Sequence, residues 1–104
     1  MKIYIAGPIK SDPAYFEKFE RTEAALANIG HHPVNPARNF HPLWNYKQYI
    51  DAGLKQLMTC DAIYMLEGYE HSDGAKLELH YARICGLHVF KAGQTVPGVR
   101  EDEP

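Results

Sequence analysis

An α/β domain on a parallel sheet is the fold class this sequence predicts, and three observations carry it. Residues 3–6 (Ile3, Tyr4, Ile5, Ala6) and 62–66 (Ala62, Ile63, Tyr64, Met65, Leu66) are short apolar runs that read as strands buried on both faces. Longer segments with apolar residues at helical spacing separate them. The signals alternate as β-α-β-α-β-α-β along 104 residues, and such alternation calls for right-handed crossovers between parallel strands.

The elements follow in order. Gly7-Pro8 ends the first strand. A helix over 13–29 carries the stripe Phe16, Phe19, Ala24, Leu26, Ala27 and Ile29, with Ser11 or Asp12 as cap, Pro13 at its first position and Gly30 as its stop. Residues 32–36 are extended but make a weak strand, because Pro33 lacks a donor. Loop follows over 37–44. Tyr46, Tyr49, Ile50, Leu54, Leu57 and Met58 mark a second helix over 45–59. The strand at 62–66 leads through a loop at 68–73 into a third helix over 74–85, capped by Ser72 or Asp73 and ended by Gly86. Residues 87–90 (Leu87, His88, Val89, Phe90) form the last strand. The domain therefore covers 1–92, and 93–104 is a polar acidic tail.

A chain this size is one domain burying roughly 65% of its unfolded surface. Of 11 basic and 13 acidic residues, the segment Arg100-Glu101-Asp102-Glu103 takes one and three, which leaves ten against ten in residues 1–99. With no basic run, long nucleic acid is not an expected partner. No apolar stretch approaches the ~18 residues of a membrane span, so no membrane is expected. The first seven residues turn polar too soon for a secretory signal, and two cysteines, Cys60 and Cys85, make no disulfide framework, which points to the cytoplasm. Both cysteines read as small core hydrophobes. The six histidines lack zinc-ligand spacing, and no metal or cofactor is expected.

In parallel sheets ligands bind beyond the carboxyl ends of the strands. Two loops lie there, 7–12 and 67–73. The helix after the second loop holds an oddity: Glu78 has Gly74, Ala75, Tyr81 and Ala82 as same-face neighbours, whereas Lys76, His80 and Arg83 lie on another face. Its carboxylate is thus on the sheet-facing side, which is costly unless it is bonded or put to use. Two readings stay open, a Glu at the stripe edge tying down a backbone group and a Glu with chemistry to do. Ser72, Asp73 and Gly74 open a helix whose free N–H groups and dipole suit an anion, although Ser72 is equally an ordinary cap. Lys10, after Gly7-Pro8, would face that anion. Tyr46, Tyr49 and Trp44 read as packing, or as a surface for a base.

These residues together resemble the nucleoside 2-deoxyribosyltransferase superfamily, in particular a branch of small, mostly uncharacterised phage and bacterial domains. The matching pieces are Lys2-Ile3-Tyr4-Ile5-Ala6-Gly7-Pro8, Gly30 with Val34-Asn35-Pro36, 60–66, Gly68, Ser72-x-Gly74-Ala75-x-x-Glu78-Leu79, Ala82 and Gly86-Leu87. The resemblance spans about residues 2–90. It implies a flavodoxin-like or Rossmann-like domain of about four to five parallel strands flanked by helices, and cleavage of an N-glycosidic bond. Carried over residue by residue, Glu78 is the nucleophile, Tyr4 its orienter, Ser72 a ligand of a 5′-phosphate and Lys10 the basic residue near it. The substrate implied is a nucleoside or nucleoside 5′-monophosphate. A non-catalytic nucleotide binder on the same fold is the alternative. Relatives pair so that a neighbouring chain completes the pocket, which implies a homodimer or larger. One position departs: the catalytic branches carry an Asp where this chain has Gly53. Asp51 is the nearby candidate for its role, but two helical positions turn through about 200°.

Overall fold

The computed structural model of the protein describes residues 1–39 and 41–98, so the acidic segment at 100–103 lies outside the described residues. Seven elements alternate: β1 (Lys2–Ala6), α1 (Tyr15–Asn28), β2 (His32–Val34), α2 (Tyr46–Leu57), β3 (Ala62–Met65), α3 (Asp73–Ile84) and β4 (His88–Lys91). Two 3-10 turns, Pro36–Arg38 and Tyr69–His71, occupy stretches expected as plain loop, except at Pro36, expected as extended. The strands form a parallel sheet in the order β2-β1-β3-β4. This is the flavodoxin-like order of a doubly wound, Rossmann-like domain, with four strands among the described residues.

The first strand in sequence is thus central. Ile3, Tyr4, Ile5 and Ala6 are almost wholly buried, each large apolar side chain contributing about 1.5–3 kcal/mol. Alternation divides them between two cores. Ile3 and Ile5 pack with Phe19 and Leu26 of α1. Tyr4 and Ala6 pack with Leu57 of α2 and with Ala75, Leu79 and Ala82 of α3. One helix covers one face and two helices cover the other.

Local chemistry sets the helix ends. α1 starts later than predicted, and Pro13 lies in the turn before it. Asp12 acts from outside the helix, its carboxylate accepting from the Ala14 N–H at 2.9 Å and pairing with Lys18 at 2.6 Å. Gly30, at φ 93°, ends the helix in a backbone conformation that favours glycine. The stripe of α1 is narrower than its periodicity suggests: Phe19 and Leu26 are buried, while Phe16 and Ile29 are exposed, because a single helix over β1 and β2 can seat only one row of side chains. α2 opens with a reciprocal cap, the Asn45 side chain accepting from Gln48 N–H at 2.9 Å and the Gln48 side chain from Asn45 N–H at 2.8 Å.

Two expectations need correcting. Cys60 is buried, but Cys85 is exposed, since it sits at the end of α3 where the helix face turns away from the sheet. The segment after Gly93 does not leave the domain at once. Val96 packs against the α1-side core, and the His31 ring donates from Nε2 to the Pro97 carbonyl at 2.6 Å. Among the described residues, no helix is long and apolar enough to cross a membrane.

Candidate active site

A cavity of about 490 Å³ opens beyond the carboxyl end of β1. From β1 the chain passes through α1 on one face to β2, then through α2 on the other face to β3. The strands diverge from their connections at this point, and a crevice forms.

Glu78 reaches this cavity from the second turn of α3. Gly74, Ala75, Leu79 and Ala82 lay that helix on the sheet and carry Glu78 inward with them. The side chain is 9% exposed, and burial pushes its carboxyl up to about 7, against a smaller opposing effect of the Tyr4 hydrogen bond. The Tyr4 hydroxyl donates to Glu78 Oε2. Tyr4 itself is held well above the usual phenol range by burial and then by the neighbouring carboxylate, so it stays a protonated donor. Glu78 Oε1 takes no hydrogen bond among the described residues. One oxygen is therefore anchored and the other is available.

Behind the pair lies Gly53 of α2. A Cβ there would sit 2.7 Å from the Tyr4 hydroxyl oxygen and 2.8 Å from Glu78 Oε2. The helix backbone itself forms this wall. Gly53→Ala is expected to destabilise the protein, because overpacking costs about 1–3 kcal/mol against roughly 1 kcal/mol gained in helix propensity. Urea unfolding checks it, and a gain in stability would show the space to be free.

The start of α3 forms another wall of the cavity. The Ser72 hydroxyl oxygen accepts from the Ala75 N–H at 3.2 Å, which leaves its proton to donate. The N–H groups of Asp73 and Gly74 have no acceptor among the described residues. Gly74 lets α2 approach, since a Cβ on it would meet Ile50 Cδ1 at 2.8 Å and the Tyr46 hydroxyl at 3.1 Å. Across the cavity the Lys10 ammonium lies 4.0 Å from the centroid of the Tyr46 ring.

Of the residues singled out in the sequence, Tyr4, Gly7, Lys10, Ser72, Asp73, Gly74 and Glu78 line this one cavity, whereas Pro8 and Asp51 do not. Asp51 points outward and pairs with Lys47 at 2.6 Å, one helical turn away. Tyr46 and Tyr49, which the sequence marks for packing or for a base, both line the cavity. Tyr15, Asn39 and His71, which no motif singles out, do so too. For His71 the signal was its place just before the α3 cap. For Asn39 it was Asn35-Pro36, which starts a 3-10 turn by accepting from the Ala37 N–H at 2.9 Å.

The family model described as "Domain of unknown function (DUF4406)" matches residues 1–91. No curated protein matches the sequence. Among solved structures, a 2-deoxyribosyltransferase from the psychrotolerant bacterium Bacillus psychrosaccharolyticus superposes with a TM-score of 0.72 at 22% identity, over 92% of this chain and 77% of that one. A 2-deoxyribosyltransferase from Leishmania mexicana superposes with a TM-score of 0.68 at 24% identity, over 86% of this chain and 62% of that one. At such identities the likeness is one of fold.

Proposed function

We propose that this chain, which belongs to the DUF4406 family of unknown function and shares its fold with 2-deoxyribosyltransferases, cleaves or transfers the N-glycosidic bond of a nucleoside or nucleoside 5′-monophosphate. The observation that carries the reading is the Glu78 carboxyl group, buried in the cavity wall with one oxygen held by Tyr4 and the other unbonded. A desolvated carboxylate is a stronger nucleophile than a hydrated one. Glu78 attacks the anomeric carbon, the bond to the base breaks through an oxocarbenium-like state, and a glycosyl ester forms on the carboxylate. Water or a second base then resolves the ester. Tyr4 keeps the nucleophile in one orientation through both steps. The test is release of free base from a panel of nucleosides and 5′-monophosphates at high enzyme concentration, and no release from any of them overturns the reading.

Ser72, the unbonded N–H groups of Asp73 and Gly74, and Lys10 favour a 5′-monophosphate. A dianion at a helix N-terminus gains from the dipole and from charge-assisted hydrogen bonds. Lys10→Ala is expected to weaken monophosphate binding by about 1–3 kcal/mol, as for a hydrogen bond to a charged group, and to spare uncharged nucleosides. Ser72→Ala should act in the same direction, more mildly, with some loss of helix stability. Calorimetry with matched nucleoside and monophosphate pairs checks both, and equal binding of the two ligands at low salt would remove the phosphate site.

Gly53 favours a second reading. Without an acid on α2 beside the carboxylate, the same cavity would serve a non-catalytic nucleotide binder. Tight binding without base release would identify it. Either way the partner is a small molecule, met in the cytoplasm. The resemblance to paired relatives supports a homodimer or larger. Light scattering at micromolar concentration is expected to exceed the 11.8 kDa of one chain.

A further inference from the structure

A heterocycle bonded to an anomeric carbon leaves easily only when it leaves neutral. A neutral nucleobase departs as an anion unless a general acid protonates it, and glycosyl-transferring sites ordinarily supply that acid. The cavity is poorly equipped to do so. Directly behind Glu78 the α2 backbone closes at Gly53, where even a Cβ would lie 2.8 Å from the carboxylate. Asp51 faces away, held by Lys47. Asp73 reaches solvent, its side chain 92% exposed beside Lys76. The Tyr4 proton is committed to Glu78, and burial makes it harder to remove. The His71 side chain lines the cavity, but its ring makes no hydrogen bond among the described residues, although the backbone N–H donates to the Gly68 carbonyl.

The same cavity is well equipped for a cation. Its wall includes the rings of Tyr15, Phe19, Tyr46 and Tyr49. The Lys10 ammonium already covers the Tyr46 ring at 4.0 Å, so a second cation would rest on the other three, with the charge of Lys10 met by the phosphate; an aromatic face attracts a cation in this geometry. The buried Glu78 carboxylate would gain a counter-ion from any cation placed before it.

Resting on the glycosidase reading above, we infer that the substrate is an N-glycoside whose heterocycle carries a fixed positive charge, of the pyridinium type. Glu78 donates an electron pair to the anomeric carbon. The carbon–nitrogen bond breaks and its pair stays on the nitrogen, so the ring leaves as a neutral pyridine with no proton needed. Water then adds its oxygen to the same carbon, one proton passes to solvent, and the carboxylate is restored.

The test compares nicotinamide mononucleotide with inosine 5′-monophosphate, following free base by chromatography between pH 6 and 9. A site with a general acid levels the difference between these leaving groups, whereas a site without one leaves it standing. The expected result is kcat/KM at least 100-fold higher for the pyridinium substrate, with no fall at high pH and with loss of the activity in Glu78→Gln, whose thermal stability matches wild type near pH 4.5 and below. Equal or faster cleavage of inosine 5′-monophosphate overturns the inference and leaves the glycosidase reading in place. Cleavage of neither substrate, nor of any other nucleotide in the panel, overturns the glycosidase reading as well.

Discussion

Glu78→Gln is expected to abolish base release while leaving the fold and the cavity intact. The amide has the volume of the carboxyl group, and its oxygen can still accept from the Tyr4 hydroxyl. What it loses is the electron pair that forms the glycosyl ester in the proposed reaction. Removing a nucleophile from a site that acts as a unit costs several powers of ten, here roughly 10³-fold or more. The wild-type profile should carry the signature of the same group. The free-enzyme carboxyl titrates at about 7, and only its ionised form attacks. The logarithm of kcat/KM therefore rises with unit slope below about pH 7 and levels above it. Steady-state rates across pH 5–9 check this. Residual activity in Glu78→Gln within tenfold of wild type, or a flat profile, would move the nucleophile elsewhere.

The same substitution should stabilise the protein in alkali. The folded carboxyl titrates at about 7 and the unfolded one near its ordinary 4.5, because burial raises it. Between these values the native state holds a proton that the unfolded state has lost. Stability then falls as pH rises through that window and is lower by a constant amount above it. A difference of about 2.5 pH units corresponds to roughly 3 kcal/mol. In Glu78→Gln this component is absent. Compared at pH 8, the variant is expected to melt higher, by on the order of 10 °C for a domain of this size, and the two proteins should converge near pH 4.5. Other titrating groups are common to both and cancel in the comparison. Parallel melting curves across the whole range would show that the carboxyl is hydrated in the folded state. The Glu78 carboxylate is thus held at the expense of stability, as functional groups commonly are.

The sheet was legible because β1 and β3 are apolar runs too short for helices and flanked by glycine or polar residues. Glu78 was legible because it breaks the pattern of its own helix: a carboxylate among Gly74, Ala75 and Ala82 announces itself without any knowledge of what lies opposite. Other features depend on contacts between distant segments. Nothing near residue 53 in the chain shows that the α2 backbone rests against the Tyr4 hydroxyl, because that approach is set by how α2 crosses β1. The seat of Lys10 on Tyr46 joins the loop after β1 to the first turn of α2, which neither periodicity nor spacing relates. Helix periodicity also overstates burial at the ends. Phe16 and Cys85 lie on apolar faces, yet the sheet beneath them has run out.

The central place of the first strand also governs when the site comes into being. Lys2 meets its Asp61 partner across 59 positions, and Tyr4 meets Glu78 across 74. Contacts this remote in sequence form only after long loops have closed, which makes for slow folding compared with helical proteins of equal length. On a ribosome, β1 would emerge early and wait for β3 and then α3 before its middle residues found their neighbours. The carboxylate would gain its phenol partner only near the end, so base-releasing activity regained after dilution from denaturant would report the last stage of assembly, later than the return of helical circular dichroism.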